Sequence, residues 1–128
     1  MSYTLDRILT DTDMATAEER TRAALTANGF GVLTEIDVSA TMKKKLDVDM
    51  PGYLILGACS PQMAYDAIQL EPKLGAMLPC NVILRAVDGG VEVSAIDPVA
   101  SMMGVDNVEL PKVAEMVRGM LQKTVDEI

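Results

Sequence analysis

The side chains best suited to chemistry are Cys59 and Cys80, the two cysteines of a 128-residue chain. Each stands at a proline-marked junction: Leu56-Gly57-Ala58-Cys59-Ser60-Pro61 and Leu78-Pro79-Cys80-Asn81. The first phrase reads as a buried strand running into a helix. Ser60 is its N-cap, and Pro61 takes the first helical position, where a missing N–H costs nothing. Cys59 then sits just before a helix N-terminus, whose positive partial charge favours a thiolate. The second phrase reads as the start of the next strand. Antiparallel pairing of the two strands brings both thiols to one edge of the sheet. Two neighbouring thiols can cycle through a disulfide, or hold a soft ion such as Cu(I) with a methionine as a further ligand. The plainer reading is that both are small apolar core residues. Ser60 and Asn81 join the same candidate site, and the free N–H groups of the helix start suit an anion.

Glu35, Asp37 and Lys45 form a second constellation. Strand alternation puts both carboxylates on one face, and Lys45 follows on a short helix able to fold back over them. A lysine so held positions a charged ligand or serves in acid–base chemistry; otherwise it is a surface ion pair. Gly57 removes a side chain from a core strand, which permits close approach of a helix, the favoured reading, or of a ligand.

Absences narrow the chemistry. The chain has no histidine, which removes Ser-His-Asp and Cys-His catalysis. Two cysteines without a CxxC spacing exclude the usual zinc patterns, and no cofactor is indicated. A net charge of −8 repels phosphate backbones, and three tyrosines and one phenylalanine leave little for base stacking, so nucleic acid is not expected as a partner. Ten methionines read as packing material for a core poor in aromatics, with Met116 and Met120 sharing a helix face. No apolar run reaches the ~20 residues of a membrane span, and Asp6 and Arg7 interrupt any signal-like start, so a cytoplasmic protein with reduced thiols is expected.

The elements that must position these residues follow from periodicity. Strands are expected at Tyr3–Leu9, Phe30–Val38, Tyr53–Cys59, Cys80–Val87 and Val91–Ile96. In the first, Arg7 falls awkwardly among Tyr3, Leu5 and Leu9; in the second, Phe30, Val32, Thr34, Ile36 and Val38 form the apolar side. The third is an unbroken apolar run, suited to a central strand covered on both faces. Helices are expected at Ala15–Ala27 with a Thr16/Glu19 capping box, Ala40–Leu46 capped by Ser39, Pro61–Leu70 burying Ala64, Ala67 and Ile68, and Val108–Glu127. Asp88-Gly89-Gly90 makes a hairpin. The expected fold class is α+β, one domain over residues 1–128: a curved antiparallel sheet with helices on one face and a long C-terminal helix striped by Val113, Val117, Met120, Leu121 and Thr124.

Four phrases carry a resemblance: Phe30-Gly31-Val32-Leu33-Thr34-Glu35-Ile36-Asp37-Val38, Lys45-Leu46, Tyr53 to Pro61, and Leu78-Pro79-Cys80-Asn81-Val82. In that order and spacing they resemble the prokaryotic family known as domain of unknown function 302, from about Tyr3 to Val125. Ser60 stands where relatives often carry asparagine, which keeps the capping role. The resemblance implies a TATA-binding-protein-like, helix-grip fold and implies no activity. The functional expectation is therefore a small-molecule or ion binding module with its site near Cys59, Ser60, Cys80 and Asn81. A thiol-dependent redox protein or enzyme using Cys59 and Cys80 is the alternative, and a structural homodimer without ligand is the third reading.

Overall fold

The computed structural model describes residues 2–128. Alternation of apolar residues builds a five-stranded sheet from β1 (Thr4–Thr10), β2 (Gly31–Asp37), β3 (Tyr53–Cys59), β4 (Cys80–Val87) and β5 (Gly90–Ile96). The spatial order is β1-β5-β4-β3-β2, and every neighbouring pair is antiparallel. Leu5 and Leu9, Leu54, Leu56 and Ala58, Cys80, Val82 and Leu84, and Val91, Val93 and Ala95 all turn to one side and are buried there. Five helices complete the chain: α1 (Met14–Ala27), α2 (Val38–Leu46), α3 (Pro61–Leu70), α4 (Pro98–Ser101) and α5 (Leu110–Asp126), with a 3-10 segment at Pro72–Met77. α1 and α5 cover the buried side with Ala17, Ala24, Leu25, Leu121 and Val125. A smaller cluster of Ala67, Leu74 and Leu110 ties α3 to the start of α5. The architecture is α+β, with helices against one face of an antiparallel sheet.

Arg7 has a role that its sequence context hid. It stands opposite Val93 on the helix-covered side and donates to the carbonyls of Val125 (3.3 Å) and Asp126 (2.8 Å). Those carbonyls lie at the end of α5, so the guanidinium supplements the local N–H donors to Val125 and meets the negative end of the helix.

Several local expectations are corrected. α1 is capped by Asp13, whose carboxylate accepts from the Thr16 N–H at 2.7 Å, rather than by a Thr16/Glu19 box. α2 is capped by Asp37, and Ser39 instead donates to that carboxylate and accepts from the Tyr53 N–H. β2 is an edge strand with a register shift between Val32 and Thr34, so its apolar side meets the core only at its start: Phe30 and Val32 pack there, while Ile36 farther along is exposed. β3 is interior but covered by helices on one side only. In α3 Ala67 is buried while Ile68 is at the surface, and Met116 projects from α5 into solvent. The stretch after Asp97 contains α4, capped by Asp97, which also receives the Arg118 guanidinium at 3.0 Å. Among the described residues no helix is long and apolar enough to cross a membrane.

Candidate functional site

Pairing of β3 with β4 sets Ala58 opposite Cys80, which places Cys59 one residue beyond that pair at the end of the sheet. α3 leaves directly from this end, with Ser60 at its N-cap and Pro61 at its first turn. Ser60 makes no side-chain capping bond, so the first-turn N–H groups have no side-chain acceptor. Cys59, Ser60 and Cys80 border one partly open cavity of about 30 Å³, lined also by Phe30, Leu74, Val113 and Val117. That is room for one or two water-sized bodies. Two methionines, Met63 and Met102, line the same cavity. Both cysteines are free thiols, Cys59 half-buried and Cys80 buried. Burial pushes the Cys80 thiol up to about 11, and the charge of Cys59 pushes in the same direction.

The remaining sequence candidates lie elsewhere. Asn81 stands opposite Gly57 on the side of the sheet turned away from the helices and does not line the cysteine cavity. Arg22 donates to the Glu35 carboxylate and, at 2.9 Å, to that of Glu18; the Glu18 bond is the larger reason the guanidinium holds its proton more tightly. Asp37 is occupied in capping α2. Near Lys45, the lysine that pairs is Lys43, with Asp47 at 3.0 Å and Asp49 at 3.3 Å. Glu35, Asp37 and Lys45 are thus three separate structural contacts or surface groups, with no shared site among the described residues. Gly57 admits neither helix nor ligand: a Cβ there would collide with the Thr34 hydroxyl and lie 2.6 Å from Cγ of Pro79.

The residues that sequence reading missed are Met63 and Met102. Met63 had a usable signal, because it follows Cys59 by four residues across the start of α3. Met102 had none, since only the packing of the post-Asp97 segment on α3 brings it to the cavity. Among the described residues no three His, Cys, Asp or Glu side chains converge as a metal site.

No curated protein matches the chain. Among solved structures it is similar to the crystal structure of an uncharacterized conserved protein DUF302 from Bacillus stearothermophilus, with a TM-score of 0.91 at 23% identity, over 99% of this chain and 98% of that one. At that identity the likeness speaks for the fold. Residues 7–128 match the family described as Domain of unknown function DUF302, and the chain belongs to that family.

Proposed function

We propose that the protein is a binding module for a soft monatomic cation of the Cu(I) class, held by Cys59 and Cys80 with thioether sulfur from Met63 or Met102. One observation carries the reading: two cysteines and two methionines are among the residues lining a single, mostly apolar cavity of about 30 Å³. Organic ligands need pockets of roughly 300–1,000 Å³, so the cavity suits an ion and not a metabolite. Thiolate and thioether are the ligands that select Cu(I) over harder ions. Two thiolates in an apolar site repel each other, and a cation between them offsets that repulsion. The ion displaces the proton of each thiol, forming two metal–sulfur bonds and releasing two H⁺ to solvent, so uptake tightens as pH rises.

In the redox alternative Cys59 is the attacking thiol, because burial holds Cys80 as a thiol. As part of this proposal the chain acts as a single-domain cytoplasmic module, where reducing conditions keep the thiols free, with α5 gripped by the sheet in the helix-grip manner. Anaerobic titration with Cu(I) against a chromophoric chelator tests it. One equivalent is expected to leave the chelator for the wild-type chain and none for Cys59→Ser/Cys80→Ser. Met63→Leu/Met102→Leu is expected to weaken uptake. Equal uptake by the double cysteine variant, or none by the wild type, contradicts the proposal.

A further inference from the structure

The helix-free side of the sheet carries a second feature, independent of the cysteine cavity because the sheet lies between them. A cup of about 560 Å³ is lined there by Asp6, Tyr53, Asn81, Arg85, Glu92 and Ser94. Register explains the grouping: Asp6 stands opposite Ser94, and Tyr53, Arg85 and Glu92 form a cross-strand row. Arg85 is satisfied by Glu92, its Nη2 and Nε donating to one carboxylate oxygen at 2.6 and 3.2 Å. Two carboxylates against one guanidinium leave the cup with a single negative charge, and Asp6 is the carboxylate with no ion-pair partner among the described residues. Ser94 is only 5% exposed, and its hydroxyl has no hydrogen-bond partner among the described residues. The hydroxyl is not sealed from solvent as that of Thr21 is; it borders an open cavity of metabolite size.

We propose that this cup binds a small organic ammonium ion. The ammonium N–H groups donate to the Asp6 carboxylate, the Ser94 hydroxyl and the Asn81 side-chain carbonyl, which neutralises the one uncompensated charge. Tyr53, with Tyr3 at the rim, offers the aromatic surface that a cation prefers, and Ile83 accepts the alkyl portion. An anion would meet the net negative charge, and a neutral alcohol would leave Asp6 uncompensated.

The test is an amide chemical-shift titration of the full ¹⁵N-labelled chain with n-butylammonium chloride. Sodium butyrate and butan-1-ol serve as the charge-reversed and neutral probes at matched ionic strength. Saturable shifts are expected at Asp6, Asn81, Arg85 and Ser94 with butylammonium, at least tenfold tighter than with either control. Asp6→Asn, isosteric and at an exposed position, is expected to weaken binding tenfold or more, and Ser94→Ala by a smaller factor. Absence of saturable shifts at these residues, an equal response to the controls, or an unchanged Asp6→Asn variant overturns the proposal. So does a dimer in sedimentation equilibrium whose dilution shifts the same amides, because the face would then belong to a second copy.

Discussion

Cys80 holds its proton because its thiolate would sit in an apolar cavity beside a second thiol. Its folded-state value of about 11 lies above an ordinary thiol's 9.0. Below 9.0 both folded and unfolded chains carry the proton, and the full stabilisation is present. Between 9.0 and about 11 the unfolded chain loses its proton first, so stability falls as pH rises. At ~1.4 kcal/mol per unit this is a loss of up to about 3 kcal/mol. Urea unfolding across that range is expected to give a steeper decline for the wild type than for Cys80→Ala; parallel declines would contradict the raised value. Gly57 is the second residue with a clear consequence. Gly57→Ala must displace the Thr34 hydroxyl and the Pro79 ring, and overpacking of this kind costs roughly 1–3 kcal/mol. Thr21 works in the opposite direction. It is fully buried in α1 with an unpartnered hydroxyl, so Thr21→Val, nearly the same shape, is expected to leave stability unchanged or raise it by about 1 kcal/mol.

Among the elements, α5 carries the clearest division of faces. Leu121 is fully buried against the sheet while Met116 is 62% exposed on the same helix. Leu121→Ala is expected to cost ~2–5 kcal/mol and Met116→Ala less than about 0.5 kcal/mol in denaturant midpoints. Comparable losses at both sites would mean that Met116 is covered in solution. Elements with strong periodicity were legible from sequence: α1 buries Ala17, Thr21, Ala24 and Leu25, the face its spacing requires. β2 was legible as a strand but not as an edge, because its bulge and its place in the sheet depend on which strands pair, and no local signal encodes that. Caps were misread for a related reason. Asp13 and Thr16, or Asp37 and Ser39, compete for the same helix start, and the geometry chose the aspartate each time.

At the scale of the molecule, the sheet separates two environments of different chemistry, an apolar sulfur-lined cavity beneath α3 and a polar cup on the bare face. The α+β class and the hairpin at Gly89 were legible because turn residues and alternation act locally. The placing of Cys59 and Cys80 at one end of the sheet was also legible, since antiparallel pairing of β3 with β4 requires it. The split of Asn81 from Cys80 across the sheet follows from strand alternation, yet adjacency in sequence concealed it. Glu35 and Lys45 drew attention as charges near one another in sequence, but Arg22, a helix away, claims Glu35. The sulfur-lined cavity is tested most directly by a crystal structure of the chain loaded with one equivalent of Ag(I), a close chemical stand-in for Cu(I). One anomalous peak within bonding distance of both Cys59 Sγ and Cys80 Sγ is predicted. A peak confined to surface thioethers such as Met103 or Met116, or no peak at the two thiols, would contradict it.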